Sequence, residues 1–390
     1  MTGTPLKYAK ELSFPRHVGS EGEQKAASFI INFMKEAGYE IKEEYFHIYF
    51  TPWSVLKIGI SFGLVLLTFS RIFYRTHPFV SVIFSLAFVA GMMLSDRIWY
   101  ILLEKKPFKG LLKPATSKNI IARPENEPAY KNRLNLFLIA HYDSKSQNLS
   151  LPMRILFLIV LILSCLLLSY QYMTYAINLK HSPFSINLFF SIAAISSIFF
   201  LFLKTENKSS GALDNGGSLG VLLSLAEEIK EDVLKNLKIT FLFTGAEELG
   251  LLGAYAFFQN HEKELKERES LLLNLDGVGL KGGVRVVSGS GILSAGSKGK
   301  LYFYIKRTSQ KIGIKTSSFD ILPGLMMDHI PFINHGLDTV SLCSVAKESL
   351  VIHTKNDSIE FLDEKSLEEV LSLIKALIKE LDKEKGSRGY

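Results

Sequence analysis

The chain is 390 residues long, 47% hydrophobic and 21% charged, with a formal net charge of +7. Its lysines and arginines are scattered or flank apolar segments, which excludes a basic nucleic-acid face and reads as membrane flanking. With two cysteines, Cys165 and Cys343, neither a disulfide framework nor a cysteine zinc site is available, and a reducing compartment is compatible with the sequence.

Met1 to Glu11 is polar and carries Lys7 and Lys10 without an apolar stretch behind them, so it does not read as a cleavable signal peptide. A Ser20-Glu21-Gly22-Glu23 capping box opens a predicted helix whose apolar positions Ala26, Phe29, Ile30, Phe33 and Met34 keep helical spacing to Gly38. Tyr39 to Tyr49 alternates as a strand. Two apolar segments follow, Val55 to Tyr74 and Phe79 to Ser95, joined by a link with Arg71, Arg75 and Pro78. Gly59 and Gly63 form a GxxxG pattern of the kind that supports close helix packing. A second pair, Ile155 to Ile177 and Phe184 to Leu203, has no Asp, Glu, Lys or Arg within its spans and approaches the ~20 residues needed to cross a bilayer. The first pair is shorter and has Lys57 and Arg71 within or beside it, both able to snorkel.

Two hairpins that leave and return on one side put all remaining segments in one compartment. We expect one domain in three pieces (1–54, 96–154 and 204–390), interrupted by transmembrane hairpins at 55–95 and 155–203. The basic residues beside the spans, among them Lys42, Arg97, Lys105, Lys106, Lys109, Lys113, Lys145, Arg154, Lys204 and Lys208, outnumber Arg71, Arg75 and Lys180 in the links. By the positive-inside tendency this multi-pass protein, with four transmembrane helices, has a cytoplasmic catalytic domain. The sequons at Asn148, Asn207 and Asn356 matter only in the opposite orientation.

The pieces outside the hairpins alternate between the two element types. Leu134 to Ala140, Leu237 to Thr244, Leu271 to Leu275 and Thr339 to Cys343 are predicted buried strands. Ser218 to Glu231, Leu301 to Gln310 and Glu364 to Leu381 are predicted amphipathic helices. The expected fold is α/β, a mostly parallel mixed sheet sandwiched by helices, with ligands outside the carboxyl ends of the strands.

Five acid and histidine signals fall at such ends: His141-Tyr142-Asp143, Asp214-Asn215, Glu247-Glu248, Asp276-Gly277 and His353. His141 and Asp143 lie on one side of an extended strand, so one can ligate a metal while the other orients it. Taken singly, Asp214 is a helix cap before Asn215-Gly216-Gly217, Glu247 and Glu248 are favourable charges opening a helix, Asp276 is a turn residue and His353 a loop histidine. Taken together at successive strand ends, their oxygen and imidazole ligands suit a pair of zinc ions and a metallopeptidase.

The chain resembles the co-catalytic zinc aminopeptidase superfamily, which includes aminopeptidase Y, bacterial leucyl aminopeptidases, glutamate carboxypeptidases and glutaminyl cyclases. The match is carried by Leu138 to Ser144, Gly211 to Gly217, Phe243 to Gly250, Asn274-Leu275-Asp276, Asp328 to Phe332 and His353-Thr354, and Arg16 to Gly38 is similar to the N-terminal helix of those enzymes. The resemblance implies a zinc exopeptidase-like fold and two zinc ions, with Asp214 bridging, His141 and Asp276 on one ion, and Glu248 and His353 on the other. It implies Glu247 as general base, Asp143 as the residue orienting His141, and a peptide as substrate, most simply cleaved at its N-terminus. Two departures stand out: Met327 replaces the usual serine before Asp328, and Leu322 to Met327 lacks an oxyanion-stabilising tyrosine. About a dozen residues separate His141 from Ile155 and Leu203 from Asp214, so the metals lie within about 50 Å of the bilayer surface.

Rival motifs are weaker. Gly216-Gly217-Ser218-Leu219-Gly220 matches a nucleophile elbow, but no strand precedes it. His261-Glu262 lacks a second histidine, since position 265 is leucine, and reads as a solvated helix end, while the glycine-rich run from Gly277 to Gly299 is no dinucleotide fingerprint. A carboxypeptidase, a dipeptidase, a glutaminyl cyclase and a catalytically silent membrane receptor or scaffold are the alternatives. A transporter or intramembrane protease is disfavoured because the second pair has no ionisable residue at membrane depth.

Overall fold

The computed structural model of the chain describes residues 3–105, 114–125, 133–177, 182–289, 298–318 and 326–387. Two compact units emerge: one comprises Met1–Ile48, Ala115–Ser146 and Glu206–Tyr390, the other Tyr49–Pro114 and Gln147–Thr205.

The described residues form ten strands: β1 Tyr39–Ile48, β2 Ala115–Pro124, β3 Leu134–His141, β4 Ser146–Gln147, β5 Thr205–Glu206, β6 Leu237–Thr244, β7 Ser270–Leu275, β8 Val284–Val287, β9 Thr316–Ser318 and β10 Asp338–Cys343. The first unit is built on an eight-stranded sheet in the order β1-β2-β6-β3-β7-β10-β8-β9, while β4 and β5 pair only with each other. Its centre, β6-β3-β7-β10, is parallel, and antiparallel pairings flank it at β1-β2-β6 and β10-β8. The expected mixed α/β sheet is therefore observed, with β2, β8 and β9 in addition to the predicted strands.

The central strands carry apolar residues on both faces, with few polar interruptions such as Asn135, Lys238 and Asn274, because both faces of a parallel sheet are covered. Successive side chains point to opposite faces. Leu136, Leu138 and Ala140 of β3 thus join one core with Leu237, Ile239, Phe241 and Phe243 of β6 and Leu271 and Leu273 of β7. Phe137, Ile139, Leu242 and Leu272 face the other way, onto Ala254, Phe257 and Phe258 of helix Leu252–Glu267 and onto Phe332. The first face is covered by helices Glu21–Glu36, Gly217–Ile229, Lys300–Lys311 and Glu364–Ser387. Each fully buried Leu, Ile or Phe here contributes roughly 1.5–3 kcal/mol, so the sheet centre is the most stable platform on which a site can be mounted.

At Ser20 the predicted cap is present, its hydroxyl accepting from the Glu23 N–H at 3.2 Å. Glu23 departs from the box. Its carboxylate accepts from the Gly19 N–H and from the Ser117 hydroxyl of β2, tying the helix to the sheet.

The second unit contains helices Pro52–Phe73, Pro78–Met93, Ser95–Lys105, Leu151–Ala176 and Pro183–Leu201. Three of them, Pro52–Phe73, Leu151–Ala176 and Pro183–Leu201, are long and apolar enough to cross a membrane. The fourth expected span takes a different form: Pro78–Met93 has 16 residues, about 24 Å at 1.5 Å per residue, and the chain then bends by 68° into Arg97–Leu103. It reaches a hydrocarbon core's ~30 Å only if the bent pair counts as one span. Polar side chains satisfy one another inside this unit, Ser85 with Ser169 at 2.6 Å and Ser70 with the Tyr172 hydroxyl at 3.3 Å. The GxxxG pattern is used by half: a Cβ at Gly63 would lie 2.1 Å from the Phe88 ring, whereas one at Gly59 would meet nothing within 4 Å. Lys106, Lys109, Lys113 and Lys180 of the flanking basic set lie outside the described residues, as does most of the link from Asn178 to Pro183.

His261 is not the solvated helix end that its lack of a histidine partner suggests, but a largely covered residue that holds the first unit together. It lies 2.8 Å from Glu44 of β1 and 3.1 Å from Glu264, and stacks on Phe257 at 4.4 Å. Its hydrogen bond to Glu264, and then that to Glu44, holds its pKa above the ordinary 6.5 against the opposing effect of burial. A raised pKa means that the pairing is fully present below about pH 6.5 and fades as pH rises through the raised value. Thermal unfolding of His261→Asn, compared with the unsubstituted protein from about pH 6 to about pH 9, should show a destabilisation that shrinks with rising pH. A constant difference would exclude this role.

Candidate metal centre

His141 is the last residue of β3, opposite Thr244 at the end of β6. Asp276 follows β7 directly, its N–H donating to the Leu342 carbonyl of β10. Three neighbouring parallel strands therefore deliver ligand-type groups to one carboxyl-end edge, the crevice expected of such sheets. Glu247 and Glu248 come after β6, but not at the start of a helix as expected: the helix begins at Leu252, and Ala246 and Leu251 are left-handed with φ of 55° and 62°. Gly245 permits this turn, since a Cβ there would lie 2.5 Å from the Lys118 carbonyl. Without helical partners, the Glu247 and Glu248 N–H groups both donate to the Asp143 carboxylate, at 3.1 and 3.2 Å.

Asp143 thus braces the glutamate turn. Its expected contact with His141 is looser: the imidazole Nδ1 lies 3.1 Å from the Asp143 backbone carbonyl and 3.6 Å from the carboxylate. Asp214 sits in an irregular turn, Ala212–Gly216, before helix Gly217–Ile229, and its side chain faces two histidines instead of capping the helix. Asn215 ties this turn to β7, donating to the Leu275 carbonyl at 3.0 Å and accepting from the Gly277 N–H at 3.1 Å. From the loop after β10, Asp357 accepts the Leu213 N–H at 2.8 Å. The same loop presents His353.

Two groups of ligand atoms share Asp214. His141, Asp214 and Asp276 offer atoms within 4.8 Å of one another, and so do Asp214, Glu248 and His353. The Asp214 Oδ1 is 2.9 Å from His141 Nε2 and its Oδ2 is 2.9 Å from His353 Nε2. Asp276 lies 3.7 Å from His141 Nε2, Glu248 3.1 Å from His353 Nε2, and Glu247 3.9 Å from His141 Nε2. Burial disfavours the Asp214 carboxylate, yet His141 and His353 hold its pKa well below the ordinary range. Glu247 goes the other way: burial, reinforced by Asp276 and Glu248, pushes its pKa well above that of an ordinary carboxylate despite His141. Asp328, hydrogen-bonded by Thr244, is pushed up to about 7, chiefly by burial.

The residues fit cations of the zinc type. His141 Nε2 and Asp214 Oδ1 are both buried and, although 2.9 Å apart, make no well-aligned hydrogen bond. Mixed imidazole and carboxylate oxygen donors, three per group, are what zinc takes in catalytic sites. Ser218 of the elbow-like motif is buried in the first turn of helix Gly217–Ile229, so it has neither the preceding strand nor the exposure of a nucleophile. Residues 322–325 of the oxyanion segment lie outside the described residues, while Met327 packs on Val287 and Cys343.

Three participants escaped the sequence reading. Arg16 is fully buried; its guanidinium donates to the carbonyls of Leu12, Phe14, Tyr142, Ser210 and Gly211, joining the N-terminal segment to the loops that carry Asp143 and Asp214. Asp357 is the clamp described above. Lys145 lies 2.5 Å from Glu248 Oε2. A buried arginine was legible only as part of the family-like opening, and a lysine in a polar loop carries no signal by itself.

Residues 119–378 match the profile of Peptidase family M28, a stretch that contains every one of these ligand-type residues. The chain belongs to this family. Aminopeptidase YwaD of Bacillus subtilis (strain 168) is 33% identical over 178 residues, 44% of the M28 chain and 38% of the relative's own length. The match thus spans less than half of that aminopeptidase. Among solved structures, BSAP, a zinc aminopeptidase from Bacillus subtilis, superposes with a TM-score of 0.56 at 18% identity, over 97% of this chain and 96% of that one. An aminopeptidase from Aneurinibacillus sp. strain AM-1 gives 0.58 at 15% identity, over 96% and 92%. Porphyromonas gingivalis glutaminyl cyclase gives 0.55 at 14% identity, over 97% and 98%. At these identities the superpositions establish a shared fold.

The hydrogen bonds of Arg16 predict a strong dependence of the M28 unit on this side chain. Arg16→Met leaves several buried carbonyls unpaired at ~1–3 kcal/mol each, so a loss of at least about 3 kcal/mol is expected in chemical unfolding. Arg16→Lys, with three donors in place of a planar fork, should recover part of that loss. Unchanged stability in both variants would show that the carbonyls find other partners.

Proposed function

We propose that the protein is a membrane-bound, zinc-dependent exopeptidase, an aminopeptidase that hydrolyses the N-terminal bond of peptides. The observation that carries this reading is the pair of donor groups sharing the Asp214 carboxylate. In it, His141 and Asp276 would hold one zinc ion and Glu248 and His353 the other, with Asp214 shared between the two groups. Such ions would supply acidification of a water and polarisation of the scissile carbonyl.

The residues of the chain supply the rest. Glu247 stands beside the two donor groups without belonging to either, 3.9 Å from His141 Nε2, a position from which a carboxylate can take and give a proton. It accepts the water proton as oxygen adds to the carbonyl carbon, then delivers it to the amine nitrogen as the carbon–nitrogen bond breaks. Asp143 fixes the turn from which Glu247 and Glu248 project, by accepting both of their N–H groups. The surplus of buried carboxylates gives a free α-ammonium a favourable place near the scissile bond, which supports action at N-termini.

Glu247→Gln should keep zinc binding while losing about 10²–10⁴-fold in turnover, measured on unblocked peptides alongside metal content. Acetylating the peptide N-terminus should abolish cleavage; equal cleavage of blocked peptides would favour a carboxypeptidase. Ring closure of N-terminal glutamine without residue release would instead favour a glutaminyl cyclase. Zinc-loaded protein inert in all three assays would leave the receptor or scaffold reading.

Three long apolar helices support attachment to the bilayer, and the basic residues flanking them support a cytoplasmic catalytic unit. The second apolar pair enters between His141 and Asp214, which supports short hydrophobic or membrane-associated peptides as substrates. Replacing residues 155–203 by a short polar loop should then lower the preference for a hydrophobic peptide over a polar one, read as the ratio of kcat/KM values. An unaltered ratio would end this part of the proposal.

A further inference from the structure

Glu248 is engaged by Lys145 at both carboxylate oxygens. The Lys145 ammonium lies 2.5 Å from Oε2 and 3.3 Å from the Glu248 carbonyl, and the Lys145 backbone N–H donates to Oε1 at 3.2 Å. The oxygen under the ammonium is the one that lies 3.1 Å from His353 Nε2 and would serve a cation held with Asp214. Lys145 is buried, so water and salt screen its charge little. The other donor group is different: among the described residues, the ion pairs of His141 and Asp276 run only to each other, Asp143, Asp214 and Glu247.

We propose that Lys145 is a built-in competitor for the second cation, so that the Asp214–Glu248–His353 position loads much more weakly than the His141–Asp214–Asp276 position. This rests on the reading of both groups as metal positions. A divalent ion on Glu248 Oε2 meets a like charge on the same oxygen, and the ammonium must yield part of its contact for the ion to enter. Empty, the position remains formed, because Lys145 compensates the Glu248 charge that the ion would otherwise neutralise. The first cation stays resident, and the second comes and goes with the free metal concentration. Full activity is thereby tied to metal supply through a single lysine.

The test is zinc binding to the purified full-length protein in detergent, stripped by chelator and titrated against a competing chromophoric chelator. The unsubstituted protein should bind one equivalent tightly and a second about tenfold or more weakly. Lys145→Met should tighten the second step by about tenfold or more and leave the first within about twofold. Lys145→Arg, which retains the charge and controls for misfolding, should preserve the gap. Equal second-step affinities in the unsubstituted and Met proteins, or a weaker one in Lys145→Met, would overturn the competitor role while leaving the two-cation reading intact. One equivalent in every variant would overturn both.

Discussion

Negative charge packed into one dry corner is the constraint on which the rest of the site depends. Asp143, Asp214, Glu247, Glu248, Asp276 and Asp328 are all buried at the carboxyl edge of the sheet. Taking one carboxylate out of water costs several kcal/mol, and each neighbour of like charge adds to it. Every one of these groups is answered in a specific way. Asp143 receives two backbone N–H groups, Asp214 lies between two imidazoles, and Glu248 has His353 and Lys145. For Glu247, Asp276 and Asp328 the compensation is incomplete, and burial pushes their pKa values up. A corner so charged is held by what surrounds it, and cations are its natural complement.

The holding is done by backbone more than by side-chain contact within the site. Buried polar groups are strong constraints only when fully satisfied. The turn carrying Asp214 is tied on three sides: to β7 through Asn215, to the His353 loop through Asp357, and to the N-terminal segment through Arg16. Those ties fix loops whose own sequence favours no regular structure. Left-handed backbone at Ala246 and Leu251 in the glutamate turn and at His353 in its loop is the conformational cost of aiming two segments at one point, about 1–3 kcal/mol per residue, and it persists because the sheet beneath is rigid.

Sequence alone carried the sheet centre and the identity of the ligand-type residues, because both follow from local pattern. Leu237 to Thr244, apolar apart from Lys238, Thr240 and Thr244, forms β6 with the predicted bounds. His141, Glu247-Glu248 and Asp276 stand at or just after strand ends, whereas Asp214 and His353 are delivered by an irregular turn and a loop. What was illegible depends on partners distant in sequence. β2 begins with Ala115, Thr116, Ser117, Lys118 and Asn119, a polar stretch whose strand character comes from pairing with β1, where Lys118 also meets Glu43. Glu247 and Glu248 look like helix-opening charges until Asp143, over a hundred positions earlier, supplies the acceptor that a helix would have provided. The bend after Met93 coincides with the polar Ser95-Asp96-Arg97 where the predicted segment ends, and what stayed hidden is that Arg97–Leu103 resumes as helix.

Those pairings also explain how a sheet-centred unit tolerates two long apolar insertions. Chain leaves the unit after Ile48 and re-enters at Ala115, and these two residues are register partners at the open end of the β1–β2 ladder. The first insertion therefore occupies the tip of an antiparallel pair, where a two-residue turn would serve equally. The second departs after Ser146 and returns at Glu206, and the Ser146 hydroxyl donates to the Glu206 carbonyl at 2.9 Å while accepting from the Lys208 N–H at 2.9 Å. Each neck is closed by hydrogen bonds of the unit itself. Loop-closure entropy grows only with the logarithm of length, about 0.6 kcal/mol per doubling, so replacing a short turn by some 60 residues costs little once the neck is pinned. The neck at Ser146 lies next in sequence to Lys145, and its hydrogen bonds fix the segment from which that lysine reaches Glu248. An insertion tolerated for topological reasons thus begins two residues beyond a side chain that touches the candidate metal centre.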